Sequence, residues 1–249
     1  MGKLMILRPY GLAASSVPAN ANLSRVLTPD PKEAVFLTAG THNINFDIGS
    51  VANVDTVFLG FTGSAAWSIT YSVDGVNYSQ WPGNPALRSD LVSPYLWSPV
   101  RHALAVLANP VLARYVTISA TVAADFPIGL VVIGAKVQSF WGHEWGAGRP
   151  IEDTGTAERL FGGGFGINEG ARVSGYQWTF GDLTDQEMLD LFALAKDRGT
   201  TRPVLVVEDP DQTVGLHERI HWGLLDRLDA YERTHLSNTR WNMRIRDWA

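Results

Sequence analysis

Hydrophobic and polar positions alternate over short distances in the first half of the chain. Between Asn43 and Ala135 the runs INFDIGS, DTVFLGF and AAWSITYSV each have the length of a β-strand. Asp74-Gly75, which follows the third run, is a dipeptide typical of β-hairpin turns. From Arg114 to Ser119 polar and apolar residues interleave, as a sheet with one solvent-exposed face requires. No helical period competes in this half, so the pattern predicts an antiparallel β-sandwich.

The pattern changes after Phe140, where glycines and single aromatic residues are interspersed and a second β-rich unit is predicted. One helix is predicted at about residues 184–198, because Thr184 and Glu187 form a capping box and Gly199 ends the helix. Its predicted apolar face consists of Met188, Leu191, Phe192 and Ala195. PVLVVEDP then predicts a short buried strand, and RWNMRIRDW an amphipathic one. We therefore predict two domains, residues 1–138 and 139–249.

The first of these domains resembles the galactose-binding-like, or discoidin-type, jelly-roll family. In that family a strand with an Asp-X-Gly turn precedes a hairpin of the form YS.DG..Y..W, an RY strand and a closing strand. The matching residues, within about residues 40–138, are Asp47, Gly49, Tyr71, Ser72, Asp74, Gly75, Tyr78, Trp81, Arg114 and Tyr115. The resemblance concerns framework residues, since the family's ligand loops vary too much to carry a binding residue across. The predicted fold class is mainly β, a galactose-binding-like jelly-roll β-sandwich followed by a second β-sheet domain with one packed α-helix.

The second domain resembles the tail-region structural proteins of tailed bacteriophages. The segments that carry this resemblance are WTFGDLTDQEMLDLFALAKDRGTTRPVLVVEDP and RWNMRIRDW, together with ANLSRVLTPDPKEAVF near the start of the chain. The resemblance implies a structural protein of the virion tail or baseplate that is assembled in the host cytoplasm. It also implies that the partners are other virion tail proteins and further copies of the chain, with host-surface glycan as a further partner of the jelly roll.

Composition narrows the classes of partner and cofactor. The net charge is -5, and the chain contains no run of five or more Lys and Arg residues. We therefore predict that the protein does not bind nucleic acid. With no cysteine in the chain, a metal site would need His, Asp and Glu, and no cofactor is predicted. The longest apolar runs, such as Ile128 to Ala135, are shorter than the ~20 residues of a membrane span, and Arg8 and Pro9 interrupt the apolar run that a signal peptide needs. We predict no membrane insertion.

The stretch LHERIH contains the pattern HExxH in His217, Glu218 and His221, which on a helix holds zinc in metalloproteases. Leucines recur at helical spacing from Leu216, which favours a helix. Gly215 and Gly223 would each cost a helix about 1 kcal/mol, however, and the C-terminal strand needs an antiparallel neighbour. We therefore favour a strand here, with residues around 218–233 paired to 241–245. On a strand the two imidazoles lie too far apart for one zinc ion.

Other stretches provide weaker candidates for a site. GGGFGINEG, residues 162–170, lacks the GK[ST] ending of a phosphate loop and is predicted to be a turn. The His143-Glu144 pair, with Glu152 and Asp153, is interpreted as solvated surface instead of a metal or acid-base site. Four aromatic residues are retained as candidate glycan or interface contacts, because an aromatic plane buries a large area at low entropy cost. These residues are Tyr78, Trp81, Tyr95 and Trp97, and the alternative is that most are core or subunit contacts.

Three functions are weighed on this basis. The first is a structural virion protein that works through protein-protein interfaces, and the second is a carbohydrate-binding module in adhesion. The third and least favoured is an HExxH zinc hydrolase. We predict that the chain is not an enzyme.

Overall fold

The structure is a computed structural model, and it describes residues 3–63, 66–82, 91–92, 101–123, 125–211, 216–235 and 238–248. Contacts divide the chain into two compact units. The sandwich unit comprises Leu7–Lys136 and Asp209–Arg219, and the helical unit comprises Met1–Ile6, Val137–Glu208 and Ile220–Ala249. The sequence predicted a single boundary at residue 138. The contacts instead place residues 1–6 in the helical unit and residues 209–219 in the sandwich unit, and the predicted ranges differ from the two units at these segments.

The first nine strands lie within residues 4–138. They are β1 (Leu4–Pro9), β2 (Ala13–Val17), β3 (Val35–Leu37), β4 (Gly40–Thr62), β5 (Ala66–Ser72), β6 (Ser79–Gln80), β7 (Leu91–Val92), β8 (Arg101–Val122) and β9 (Phe126–Gln138). Two short 3-10 helices, Leu23–Leu27 and Leu216–Arg219, also belong to the sandwich unit. The register of β2 to β9 is antiparallel at every described pairing.

The two longest strands, β4 and β8, each take part in both layers of the sandwich. Residues 40–47 of β4 pair with 115–122 of β8, and this first layer continues through β2, β5 and β6. Residues 52–62 of β4 pair with 101–113 of β8, and this second layer continues through β9, β3 and β7. Apolar side chains from both layers, such as Ile44 and Ile133, form one buried core. The predicted antiparallel jelly-roll sandwich is confirmed.

The change of layer occurs where the register of β4 and β8 shifts, between Asp47 and Ala52. The Asp47 carboxylate accepts hydrogen bonds from Nε of Arg114 at 2.9 Å, from Nη2 of Arg114 at 3.0 Å and from the backbone N–H of Gly49 at 2.7 Å. Gly49 has a φ of +88°, which glycine adopts without steric cost. The hydrogen bonds from Arg114, and then from Gly49, lower the pKa of Asp47. These three residues of the family pattern therefore form one framework contact at the bend.

The helical unit contains antiparallel strands and one helix. Its elements are β10 (Ile151–Asp153), β11 (Thr156–Arg159), β12 (Phe165–Asn168), β13 (Arg172–Leu183), α1 (Asp185–Arg198), β14 (Val204–Glu208), β15 (Ile220–Leu228), β16 (Glu232–Arg233) and β17 (Thr239–Asp247). The strand order is β10, β13, β17, β15, β14, with β16 beside β17, while β11 and β12 form a separate hairpin. Alternate residues such as Trp178, Phe180 and Met243 are buried with residues of the helix.

The predicted helix is confirmed as α1. Thr184 accepts a hydrogen bond from the N–H of Glu187, the Glu187 carboxylate accepts one from the N–H of Thr184, and Gly199 is the C-cap. The buried residues of the helix are Met188, Leu191, Leu194 and Ala195. Phe192, predicted on the same face, is 44% exposed because it lies at the margin of the buried row. Among the described residues, no helix has both the length and the apolar character of a membrane span.

The predicted pairing of the segment after LHERIH with the C-terminal strand is also confirmed. Residues 223–228 of β15 pair with residues 243–247 of β17, and β16 pairs with residues 239–240. The expectation that the start of LHERIH is strand is wrong. Leu216–Arg219 is a 3-10 helix that buries Leu216 and His217, and the strand begins at Ile220.

We expect Arg114→Leu to lower the melting temperature of the protein, because it removes two hydrogen bonds from the carboxylate at the bend of β4. The matched control is Arg172→Leu. Arg172 contacts Asp153 at 3.2 Å, and 75% of its side chain is exposed. Exposed ion pairs contribute little, so the control should change the melting temperature less. Thermal unfolding followed by circular dichroism measures both variants, and equal losses would show that the contact at the bend has no special role.

Candidate functional site

Polar side chains form rows across the outer face of the first layer of the sandwich. The register of four strands aligns Ser15, Asn45, Thr117 and Thr70 in one row and Val17, Asn43, Ser119 and Ser68 in the next. Because side chains alternate between the faces of a strand, the intervening residues Ile44, Phe46, Val116 and Ile118 point into the core. The strand pattern that builds the core therefore also builds a polar surface on the opposite face.

Hydrogen bonds orient the two asparagines in these rows. The hydroxyl of Thr117 donates to Oδ1 of Asn45 at 2.8 Å, and the hydroxyl of Ser119 donates to Oδ1 of Asn43 at 2.7 Å. Because each amide oxygen already accepts a hydrogen bond from the neighbouring strand, the Nδ2 group of each asparagine is left as a donor. The face thus carries oriented amide groups on a rigid sheet.

An open cleft of about 410 Å³ lies over this face. Its lining residues are Val17, Asn43, Asn45, Thr70, Tyr78 and Thr117. Tyr78 is 43% exposed, and its ring is the aromatic surface of the cleft. The cleft is shallow and open to solvent, so a ligand would lie on the face of the sheet and would not be enclosed by it.

The loop before Tyr78 is held by a dense set of hydrogen bonds. Oδ1 of Asp74 accepts from the N–H of Asn77 at 2.8 Å and the N–H of Val76 at 2.9 Å, while Oδ2 accepts from Nδ2 of Asn77 at 2.8 Å. The N–H groups of Asn77 and then Val76 lower the pKa of Asp74. Gly75 follows with a φ of +77°. The Asp-Gly turn predicted from the sequence therefore fixes the chain just before Tyr78.

The four aromatic candidates lie in different environments. Tyr78 is at the cleft. Trp81 is 2% exposed and packs edge-on against Tyr71 in the core, with ring centroids 6.2 Å apart, so its predicted role as a ligand or interface contact is wrong. Tyr95 and Trp97 lie outside the described residues. The sequence interpretation missed Asn43, Asn45, Thr70 and Thr117, whose signal was the polar half of the alternation that predicted the strands.

His221 of the HExxH pattern lies in a buried ionic network of the helical unit. Its Nδ1 is 3.1 Å from both carboxylate oxygens of Asp247, and its Nε2 is 2.8 Å from Oε1 of Glu208. Arg149 binds Glu208 through Nε at 2.8 Å and Nη2 at 3.1 Å. The Tyr176 ring is stacked on the imidazole with centroids 5.3 Å apart. The network therefore ties together residues at the ends of β14 and β17.

The two carboxylates keep His221 charged. Burial alone would lower the pKa of His221, but the hydrogen bonds with Asp247 and Glu208 raise it to about 9. Burial would likewise raise the pKa of Glu208, but His221 and Arg149 lower it. An imidazolium donates from both nitrogens and has no lone pair for a metal ion. The arrangement supports a structural role for His221 and argues against the zinc-hydrolase interpretation.

His217 belongs to the sandwich unit and has a different neighbour. Its ring is stacked on His102 with centroids 4.5 Å apart. Nδ1 of His102 accepts a hydrogen bond from the N–H of Phe61 at 3.2 Å, which requires an unprotonated nitrogen. Burial, and then the charge of His217, lowers the pKa of His102 to about 3, and burial also lowers the pKa of His217. This pair is a neutral aromatic stack.

The remaining candidate residues do not converge. Glu144 pairs with Arg240 at 3.0 Å, Glu152 with Arg244, and Asp153 with Arg172 at 3.2 Å. Within the described ranges, no group of three or more His, Asp or Glu side chains is placed to hold a metal ion. Gly162, Gly163 and Gly164 connect β11 to β12 and open no helix, so this stretch is a hairpin turn.

Comparisons with known proteins give structural neighbours but no family. No model of a known protein family matches the sequence, and no curated protein matches it. Among solved structures, CpGH89CBM32-6 produced by Clostridium perfringens is 12% identical, with 49% of this chain and 92% of that chain covered and a TM-score of 0.39. Chitosan-binding module 1, derived from a chitosanase/glucanase of Paenibacillus sp. IK-5, is 13% identical, with 51% and 97% covered and a TM-score of 0.39. The CBM32 of AlyQ in complex with 4,5-unsaturated mannuronic acid is 15% identical, with 51% and 97% covered and a TM-score of 0.37.

The charged state of His221 predicts a pH-dependent contribution to stability. Its pKa in the folded protein is raised from 6.5 to about 9, so its contribution is fully present below pH 6.5 and is lost as the pH rises through about 9. We expect His221→Gln to destabilise the protein most at or below pH 6.5. The difference in the free energy of unfolding between the wild type and His221→Gln should decrease by on the order of 3 kcal/mol as the pH rises from 6.5 to about 9. Denaturant unfolding of both proteins across this pH range measures the difference.

The matched control for this experiment is His143→Gln. His143 lies in the same unit, but its ring contacts the backbone carbonyl of Glu144 and the hydroxyl of Tyr176. This substitution removes an imidazole from the same unit without removing a hydrogen-bond partner of Asp247 or Glu208, so it controls for the loss of an imidazole contact as such. A pH-independent effect of His221→Gln would contradict the proposed charge on the imidazole.

Proposed function

We propose that the sandwich unit binds carbohydrate in the cleft beside Tyr78. The observation that carries this proposal is the combination of an exposed tyrosine ring with oriented amide and hydroxyl groups on one rigid face. A pyranose ring has apolar C–H faces and a rim of hydroxyl groups. The apolar face of the sugar can stack on the ring of Tyr78. The hydroxyl groups can form hydrogen bonds with the side chains of Asn43, Asn45 and Thr70.

The chemistry of the lining favours a neutral sugar. None of the six lining residues carries a formal charge at neutral pH. Arg114, near the end of the same sheet, is already bound by both oxygens of Asp47 and does not offer a free guanidinium to an acidic sugar. The lining also has no carboxylate or imidazole for general acid-base chemistry. We therefore propose binding without catalysis, which matches the adhesion-module alternative weighed above.

A structural role in a virion remains a second proposal. It rests on the sequence resemblance to tail proteins, and the observation that favours it is the concentration of exposed apolar side chains in residues 140–167, which suits a protein that assembles with others. Location in a virion tail and contact with other tail proteins are part of the same proposal. Electron microscopy of the parent particle with a label on this chain tests it, and absence of the label from every particle would contradict it.

We expect the whole chain to bind neutral glycans on an array, and Tyr78→Ala to weaken that binding about 2- to 12-fold, since an aromatic stacking contact contributes roughly 0.5 to 1.5 kcal/mol. Asn45→Ala should weaken it to a similar extent by removing one hydrogen-bond donor. Isothermal titration calorimetry with the best glycan from the array measures both losses. The melting temperature of Tyr78→Ala should stay close to that of the wild type, because Tyr78 is exposed. Asn45→Ala also removes the acceptor of the Thr117 hydroxyl, so its melting temperature should fall slightly.

The matched control is Tyr231→Ala. Tyr231 is 39% exposed, close to the 43% of Tyr78, but it lies in the helical unit. Its substitution should leave the dissociation constant unchanged. No binding to any neutral glycan, or equal affinity for the wild type and both cleft variants, would overturn the proposal.

A further inference from the structure

The β11–β12 hairpin, residues 156–168, stands apart from the main sheet of its unit. In the described part of the chain β11 and β12 pair with each other and with no other strand. Seven of the eight strand residues are exposed and one is partly buried. An isolated two-stranded hairpin is marginally stable at best in water. We call this hairpin the arm, and its geometry indicates that it needs further packing.

Large apolar side chains cover the arm and are open to solvent. Leu160 is 54% exposed, Phe161 is fully exposed, Phe165 is 65% exposed and Ile167 is 71% exposed. Phe161 lies beside the glycine turn, and Phe165 and Ile167 lie two residues apart on the same face of β12. Such a concentration differs from the scattered single apolar residues of an ordinary protein surface.

Exposed apolar side chains also occur in the segment that precedes the arm, which runs beside β13 from Thr179 to Arg172. Phe140, Trp141 and Trp145 are 79%, 57% and 91% exposed, and Ile151 is 75% exposed. Together with Phe161 and Phe165 this makes five exposed aromatic side chains in residues 140–165 of the described structure. At roughly 150 to 250 Å² for each aromatic side chain, they offer on the order of 800 Å² per copy. That matches the ~800 Å² that each partner contributes to a stable protein interface.

The charge of the arm points to an apolar partner surface. Residues 156–168 contain one acidic and one basic side chain, Glu158 and Arg159, so the arm has no net charge. A partner recognised by charge would require a surplus of one sign. The chain itself provides exposed apolar side chains of the required total area in residues 140–167.

We propose that the arm is a self-association element that packs against residues 140–167 of a second copy of this chain. Each copy then covers about as much apolar surface as its partner, and the hairpin gains the packing that it lacks in one chain. This interface lies in the helical unit and does not rest on glycan binding by the sandwich unit. Loss of one activity therefore leaves the other measurable.

We expect the full-length protein to show at least twice the mass of one chain at high concentration, and to dissociate on dilution, in size-exclusion chromatography with light scattering. Phe161→Ser combined with Phe165→Ser should shift the mass to that of a single chain over the whole concentration series. Both side chains are exposed, so the double variant should keep the circular dichroism spectrum and the melting temperature of the dissociated wild type.

The matched control is Phe36→Ser. Phe36 is 64% exposed, nearly the same as Phe165, but it lies on β3 of the sandwich unit. This variant should associate like the wild type. The proposal is overturned if the wild type has the mass of one chain at every concentration, or if the double variant associates unchanged. It is also overturned if the wild type stays monomeric and binds phosphatidylcholine vesicles through Phe161 and Phe165, which would identify a lipid surface as the occupant.

Discussion

The sandwich unit depends on the way β4 and β8 remain hydrogen bonded to each other while both pass from one layer to the other. A shift in register allows a strand pair to bend from one layer to the other, and the first of three shifts between β4 and β8 lies between Asp47 and Ala52. The bidentate contact of Arg114 with Asp47, together with the positive φ of Gly49, stabilises the backbone at that point. The rows that hold Asn43 and Asn45 begin just before the bend. Two residues that line the cleft therefore lie on the same strand as this contact, within a few positions of it.

The histidines of the HExxH pattern illustrate two ways to bury an imidazole. An unpaired charge is costly inside a protein, so a buried imidazole is either neutral or paired with carboxylates. His217 is part of a neutral stack with His102, whereas His221 is a cation between Glu208 and Asp247. The two environments require opposite protonation states from residues that are four positions apart. A short motif cannot encode this difference, because all of the deciding partners are distant in sequence.

Features with a local signal could be predicted from the sequence. The capping box of Thr184, the turn at Asp74 and the pairing of the strand after LHERIH with the C-terminal strand all follow from neighbouring residues or from alternation. Features that depend on cross-strand register could not. Trp81 is buried because its side chain points into the core of the sandwich, and its neighbours in sequence do not determine this direction. Asn45 contacts Thr117 only because β4 and β8 pair, and the two residues are 72 positions apart in the chain. The units to which residues 1–6 and 209–219 belong also depend on contacts with residues distant in sequence, and for that reason the sequence alone did not predict them.

The two units also differ in the chemistry of their clefts, and this difference bears on where a ligand can bind. In the helical unit a second cleft of about 330 Å³ is lined by Asp226, Arg244 and neighbouring residues. Arg244 already contacts Glu152 and Asp226, so its charge is neutralised within the protein. A ligand that bound Arg244 would have to displace an ion pair. The outer face of the sandwich carries amides and hydroxyls that still offer hydrogen-bond donors, together with an exposed ring at Tyr78. An uncharged ligand can use these groups without breaking an existing contact, which is why the sandwich face is the better candidate for recognition.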